Sequence, residues 1–332
     1  MNLSYELAKK SSDQFKSEYR GVLATHVPMA LYALESLGAN SQQMESYYKH
    51  ATRILEPKNS AATDVTISLD NWTEYLGKNR HHEEYLIFFR QHVSDFGVSK
   101  TLETFVPKLF EGVGGGAFHG LIRLGYAIDA ANDNEIIEAL GYWSVSYMEI
   151  GAKNIEFGSG AVSPVCVLEQ LHEKFAGFMP KGSNISTRMA VVGQMEEFQN
   201  IVKNVDSSVL KPTDLADLIL ALFAQTRHFT ALHAVTSNHA FRLVAGKVSL
   251  PLQAYLSYFA SVAAAYLTVG SPKIIDEPNK NLVNFDQKAL AEIATASQDD
   301  HIPKIVYTCF EECEFYQNKL YLQAALNYCS HE

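Results

Sequence analysis

A chain of 332 residues, of which 47% are hydrophobic, is long enough to bury a full core without disulfides or a structural metal. Its 37 acidic against 27 basic residues, with no lysine- or arginine-rich run, exclude a broad phosphate-binding face, so we expect no nucleic-acid partner. The 4 cysteines form no CxxC pair and the first residues lack the apolar core of a secretory signal, which favours a cytoplasmic protein.

Helical periodicity dominates the chain. Apolar residues recur at three- and four-residue steps, and strict alternation is scarce. The stretches with this pattern are 27–38, 85–96, 118–130, 136–150, 214–224, 229–245 and 303–326. Gly38 is expected to end the first of these helices, Asn132 to separate two others and Pro212 to open another. The pattern therefore predicts an all-α fold.

Three stretches lack this periodicity and are rich in Gly, Ser, Asn and Pro. We expect 56–72, 152–164 and 176–194 to be long connecting loops. A fourth stretch, 250–270, is uncharged and long enough to span a bilayer. Its Ser, Thr, Gln and Tyr content and the lack of any comparable segment favour a buried central helix, so we expect no membrane partner.

Four histidines and a lysine lie in or beside apolar, helix-patterned stretches: His26, His119, His233, His301 and Lys304. Imidazole is the commonest protein metal ligand, and several imidazoles in one interior suit iron, zinc, copper or nickel better than magnesium or calcium. The pattern predicts a buried transition-metal centre. Because elements from residue 26 to residue 304 would then meet at one point, we expect 1–332 to form a single compact domain.

The alternative is that each is a core histidine satisfied by one hydrogen bond, the commoner case for a lone histidine on an apolar helix. Six other histidines serve for comparison, because they lie amid charges or at the terminus and are expected to be exposed. These are His50, His81, His82, His92, His172 and His331.

The glycine-rich run before His119 matches a dinucleotide-binding turn only superficially. Gly112, Gly114 and Ala117 fit the spacing G-x-G-x-x-A, but the preceding stretch is patterned as a helix and not as a strand. The glycines instead predict a sharp turn before a helix that begins near Ala117. His119 would lie in its first turn, where the positive helix end keeps an imidazole neutral, as a ligand must be.

The segment RHFTALHAVTSNHAFRL offers His228, His233 and His239. Steps of five and six residues place the three on different sides of one helix, so they cannot all bind one metal. His233 has the more apolar neighbours and is the preferred ligand. His239 remains an alternative ligand or a group that orients one.

The segment DDHIPK predicts a helix start capped by Asp299 or Asp300, with His301 and Lys304 on one face. Burial beside a cation would lower the pKa of the lysine. The neutral amine can react with carbon dioxide to give a carbamate, an anionic oxygen ligand. A surface lysine that pairs with Asp300 or Glu311 is equally open.

The segments THVPMALYALESLGA, FHGLIRLGYA, LHAVTSNHAFR and DDHIPK, in that order, resemble the questin oxidase-like family. The resemblance implies an all-α oxidoreductase that uses dioxygen for ring cleavage or Baeyer–Villiger-type oxygen insertion on an aromatic or quinone-like small molecule. It also implies non-haem iron, or another divalent transition metal, held by histidines and a carboxylated lysine. The matching positions are His26, His119, His233, His301 and Lys304.

No motif marks an NADPH or flavin site, which puts a flavin-type reaction in doubt and leaves a need for NADPH open. We expect the substrate to lie in an apolar pocket lined by Tyr126 and Tyr258, with Arg123 or Arg242 orienting an oxygen substituent. Two rival functions are a non-catalytic helical protein that binds an apolar small molecule and a zinc-dependent hydrolase that leaves dioxygen unused.

Overall fold

The computed structural model describes residues 2–21, 23–58, 65–151, 160–274 and 286–330, and most of them are helical. In chain order the helices are α1 (Leu3–Gln14), α2 (Val27–Ser36), α3 (Ser41–Ala51), α4 (His82–Leu109), α5 (His119–Asp129), α6 (Asp133–Ser146), α7 (Pro164–Phe175), α8 (Ile185–Gly193), α9 (Glu196–Val202), α10 (Pro212–Thr226), α11 (Phe229–Ala245), α12 (Leu252–Thr268), α13 (Gln287–Ala296), α14 (His301–Tyr316) and α15 (Leu320–Cys329). Strands β1 (Glu18–Tyr19) and β2 (Leu23–Ala24) pair antiparallel and are the whole sheet content of the described ranges. The predicted all-α class is confirmed.

Local sequence signals set several helix boundaries where they were expected. Gly38 follows the end of α2 with a φ of +88°. The side chain of Asn132 caps α6 by accepting a hydrogen bond from the amide of Glu135 at 3.0 Å. Pro212 is the first residue of α10, where its missing amide hydrogen has no intrahelical partner to lose.

Two predicted elements are wrong in extent. The stretch 303–326 is not one helix, because Gln317 adopts a left-handed conformation (φ +52°) that ends α14 before α15 begins. The predicted loop 176–194 contains α8, which Asn184 and Thr187 start with a reciprocal capping box. Parts of the other two predicted loops, 59–64 and 152–159, lie outside the described residues.

The uncharged segment 250–270 forms α12, which is buried along most of its length, as expected. Its small residues Ala260, Ala263 and Ala264 are almost fully inaccessible and let neighbouring elements approach closely. Within the described ranges, no helix has the length and apolar character needed to cross a membrane.

Four helices pack around one point. In turn, α2 contacts α5, α5 contacts α11, α11 contacts α14, and α14 contacts α2. Helices α5 and α14 begin with His119 and His301, His26 precedes the first residue of α2, and His233 lies in the second turn of α11. The amino-terminal ends of these helices therefore bring all four side chains to the same region.

Candidate metal centre

Four imidazole rings contact one another in a group that we call the histidine cluster, made of His26, His119, His233 and His301. His26 stacks on His119 with ring centroids 4.6 Å apart, and its ring meets His301 edge-on at 4.6 Å. His233 lies 4.9 Å from His119 and 5.5 Å from His301. Segments from both ends of the chain thus place four rings together.

The turn that presents His119 is strained. Gly116, Ala117 and Phe118 have successive φ values of +55°, +53° and +69°, although the last two carry side chains. A non-glycine residue held there costs roughly 1–3 kcal/mol, and such strain is concentrated at functional sites. In this left-handed turn the carbonyl of Gly116 points back toward the imidazole of His119.

Backbone carbonyls fix the orientation of two rings. Nδ1 of His119 lies 2.5 Å from the carbonyl oxygen of Gly116, and Nδ1 of His233 lies 2.8 Å from that of Phe229. Because a carbonyl can only accept, each Nδ1 donates its hydrogen, and Nε2 of the neutral ring carries a free lone pair. Metal-bound histidines are oriented by this kind of contact.

Carboxylates stand behind the other two rings. Nδ1 of His301 lies 3.1 Å from Oδ1 of Asp299, and Nδ1 of His26 lies 3.6 Å from Oδ2 of Asp300. Nε2 of His301 is buried with no hydrogen-bond partner among the described residues. The sequence suggested the two aspartates as helix caps, and Asp300 also as a partner of Lys304, but neither as a partner of a histidine. Their adjacency to a histidine was the available signal for this second role.

Two ring nitrogens of the cluster face each other directly. Nε2 of His26 and Nε2 of His119 are 2.7 Å apart. Since Nδ1 of His119 holds the hydrogen of that neutral ring, its Nε2 presents a lone pair to His26. Either a hydrogen on His26 or a bound cation must lie between the two nitrogens to offset their repulsion.

The cluster favours neutral imidazoles. Burial and the nearby Lys304 lower the pKa of His119 to about 3, and they also lower the pKa of His26. Burial likewise lowers the pKa of His233 and of His301. Neutral rings are the form in which histidine ligates a metal.

Lys304 is buried one turn after His301, with 2% of its surface exposed. The alternative of a surface lysine is therefore wrong. Burial lowers the pKa of its ammonium to about 8, although Asp300 and Asp299 act in the opposite direction. Within the described ranges its nitrogen forms no ion pair within 4.0 Å, so this amine has access to its neutral, nucleophilic form.

Phe229 covers one side of the cluster. Its ring centroid lies 4.6 Å from that of His233 and 4.6 Å from that of His301, and 44% of the residue is exposed. The cluster therefore sits just beneath the surface, and the side chains of His26 and His301 are themselves 10% and 12% exposed. An exposed phenylalanine over buried imidazoles limits the access of water to them.

As placed, no three His, Cys, Asp or Glu side chains of the described residues stand in the geometry of a formed metal site. The donor chemistry nevertheless fits a transition metal. Nδ1 is hydrogen-bonded to an oxygen atom in three of the four imidazoles, and the Nε2 atoms of His26 and His119 point at each other.

His239 lies apart from the histidine cluster. Its Nδ1 is 2.6 Å from Oε1 of Glu312, and its ring contacts are with Tyr126 and Tyr307. Arg242 donates to the same carboxylate oxygen from Nε at 2.9 Å and from Nη2 at 2.5 Å. Glu312 thus joins the buried His239 and the partly buried Arg242, a contact that no local pattern in the sequence indicates.

The other residues expected to bind substrate also make internal contacts. Arg123 is buried, with Nε 2.5 Å from Oε1 of Glu135. The hydroxyl of Tyr126 donates to the carbonyl of Lys304 at 3.1 Å, and that of Tyr258 lies 3.0 Å from the hydroxyl of Ser237. Tyr126 therefore adjoins the lysine of the centre through its backbone.

The histidines chosen for comparison are not all exposed. His50 is exposed, but His81 and His92 are buried and only 14% of the His82 side chain is accessible. The expectation of solvation is wrong for these three, because charged neighbours in sequence do not fix which face of a helix is covered. His172 is half-buried, and His331 lies outside the described residues.

The charged group around Arg123 predicts a pH-dependent stability. Burial raises the pKa of Glu138 from 4.5 to about 7, and Arg123 lowers it only in part. A raised folded-state pKa gives stability that is complete below pH 4.5 and is lost as pH rises through 7. Glu138→Gln removes this loss, so its stability relative to the wild type should increase by about 2–3 kcal/mol between pH 5 and pH 8.

Urea unfolding of both proteins at the two pH values measures this difference. All other titrating groups are shared, so their contributions cancel. A difference that stays constant with pH contradicts the assignment to Glu138.

Comparison with known families gives a match over most of the chain. A protein-family model described as questin oxidase-like matches residues 23–309. This range includes all four residues of the histidine cluster and Lys304. No curated protein matches the chain.

Proposed function

The chain belongs to the questin oxidase-like family, which indicates an oxidoreductase, and on this basis we propose a metal- and dioxygen-dependent oxidation of an aromatic or quinone-like small molecule. The observation that carries the proposal is the histidine cluster, in which the Nε2 atoms of His26 and His119 meet at 2.7 Å while Nδ1 is hydrogen-bonded to an oxygen atom in His119, His233 and His301. Ring cleavage and Baeyer–Villiger-type oxygen insertion are the two reactions we propose.

The residues that would hold the metal are His26, His119, His233 and His301, with Lys304 as a carbamate. Non-haem iron is the metal we propose, and another divalent transition metal suits the same donors. When bound, it supplies the capacity to activate dioxygen.

Lys304 has a specific part in this proposal. Its neutral amine attacks carbon dioxide, and a C–N bond forms as one C–O π bond becomes a lone pair on oxygen. The nitrogen then releases a proton to solvent, which leaves an anionic carbamate. Burial supports the step by lowering the pKa of the ammonium to about 8. The first turns of α5 and α14 supply positive potential that stabilises the resulting anion.

The remaining residues of the centre orient and shield it. Asp299 and the carbonyls of Gly116 and Phe229 hold three imidazoles so that their Nε2 lone pairs are available. The ring of Phe229 excludes water from one side, which strengthens electrostatic interactions within the centre.

Elemental analysis and oxygen-electrode recordings on the purified protein test the proposal. We expect about one iron per chain, and oxygen uptake that begins when a hydroxylated quinone is added. Zinc without oxygen uptake would favour a hydrolase, and quinone binding without any metal would favour a non-catalytic binding protein. Carbon NMR with isotopically labelled bicarbonate should show a carbamate signal that is lost in Lys304→Arg.

A further inference from the structure

The carboxylate of Asp300 faces two residues at once. Its Oδ1 accepts a hydrogen bond from the hydroxyl of Tyr47, and its Oδ2 lies 3.6 Å from Nδ1 of His26. Tyr47 belongs to α3, whereas His26 and Asp300 immediately precede α2 and α14. One carboxylate therefore connects a tyrosine of α3 to a ring of the histidine cluster.

The bond from Tyr47 fixes this carboxylate. Tyr47 is fully buried, and its hydroxyl has Asp300 as its hydrogen-bond partner among the described residues. Burial and the nearby Asp300 raise the pKa of the phenol well above its usual range, so the hydroxyl stays protonated and donates. A hydrogen bond to a carboxylate is roughly twice as strong as one between neutral groups. Because the two oxygens of a carboxylate share one plane, the bond that holds Oδ1 also sets the position of Oδ2.

His26 is the ring of the cluster whose Nδ1 has no hydrogen bond in the described part of the chain, although it is buried. With its hydrogen on Nε2, the neutral ring would donate to His119 but would turn the lone pair of Nδ1 toward the anionic Oδ2 of Asp300. With its hydrogen on Nδ1, the ring donates to Asp300 and leaves the lone pair of Nε2 for a cation. The negative charge of Asp300 therefore favours the tautomer that can bind a metal.

We propose that Tyr47 is a positioning residue of the metal centre: it holds the Asp300 carboxylate so that Oδ2 accepts the Nδ1 hydrogen of His26, which leaves Nε2 free to bind the metal. The separation of 3.6 Å exceeds a normal N–H···O distance by about 0.5 Å, so a slight rotation of the His26 ring completes the contact. Residues that orient a metal ligand in this way change metal affinity by about 10–100-fold. The inference rests on the proposed function in one respect, that the histidine cluster holds a metal.

Tyr47→Phe tests the proposal, because it removes the hydroxyl and keeps the buried ring. Competition with a colorimetric chelator for ferrous iron, under anaerobic conditions, measures the Kd of the intact protein for the metal. We expect this Kd to rise by about tenfold or more in the variant.

Tyr85→Phe is the matched control. Tyr85 is also fully buried, and its hydroxyl donates to the carbonyl of Trp72 at 2.5 Å. Its ring contact is with Phe89, and it makes none with the histidine cluster among the described residues. Both variants lose one buried hydrogen bond, so a general loss of stability affects both. The Kd of Tyr85→Phe for iron should nevertheless equal that of the wild type.

Asp300→Asn is the second variant, and it provides the test if Tyr47→Phe does not fold. Its amide lacks the negative charge that favours a hydrogen on Nδ1 of His26, so iron binding should weaken by a similar factor. If Tyr47 acts through Asp300, the double variant should bind iron no more weakly than Asp300→Asn alone. Losses that add would mean that the two residues act independently, and would overturn the proposal.

Equal Kd values in the wild type and Tyr47→Phe, or equal losses in Tyr47→Phe and Tyr85→Phe, would also overturn it. Iron binding needs no turnover, so the two proposals can fail separately. Tyr47-dependent iron binding without oxygen uptake would refute only the proposed oxidation, whereas oxygen uptake with Tyr47-independent iron binding would refute only this inference. A wild-type protein that binds no iron would refute both.

Discussion

His119→Ala is expected to remove the metal from the protein, with metal content per chain falling to roughly one-tenth of the wild-type value or less. The ring of His119 contacts the rings of both His26 and His233. Its Nε2 also lies closest to another ring nitrogen, at 2.7 Å. Plasma mass spectrometry on protein purified under identical conditions measures the result.

His92→Ala is the matched control for this experiment. His92 is also a buried histidine, with 7% exposure, and its Nδ1 lies 2.8 Å from the hydroxyl of Thr101 on α4. It makes no ring contact with the histidine cluster in the described part of the chain, so this variant should keep its metal. Equal metal content in the two variants would remove His119 from the ligand set.

The helices were predictable because their signals are local. Periodicity and end signals such as Asn132 and Pro212 act over a few residues, so sequence alone located most of the elements. The prediction of one helix over 303–326 failed for a local reason as well, because nothing in its apolar pattern indicates that Gln317 adopts a positive φ. The preference for His233 over His239 followed from its more apolar neighbours, and the structure places only His233 in the histidine cluster.

The surroundings of the centre could not be predicted, because they depend on contacts between distant segments. Glu312 pairs with His239 only because α11 packs on α14. Tyr142 backs the turn at Gly116 only because α6 lies beside it. His82 resembles a surface residue in sequence, and its burial follows from the packing of α4 against α6.

Glu312→Ala is expected to lower the free energy of unfolding by about 3–5 kcal/mol, since it leaves the buried His239 and the partly buried Arg242 without their acceptor. Glu312 is 1% exposed, and a single oxygen of its carboxylate accepts from His239 at 2.6 Å and from Arg242 at 2.9 and 2.5 Å. Burial acts to raise the pKa of the Glu312 carboxyl, but the contacts with His239 and Arg242 outweigh burial. The net effect is a lowered pKa, so the residue is ionised at neutral pH.

Urea unfolding at neutral pH measures the effect, with Glu314→Ala as the control on the same helix. Glu314 is exposed, so its removal should change stability by no more than about 0.5 kcal/mol. Because Glu312 lies two turns beyond Lys304, its loss should also loosen the helix that carries two of the five proposed ligands, His301 and Lys304. Equal stability of the two variants would mean that the contacts of Glu312 with His239 and Arg242 contribute nothing to holding α11 against α14.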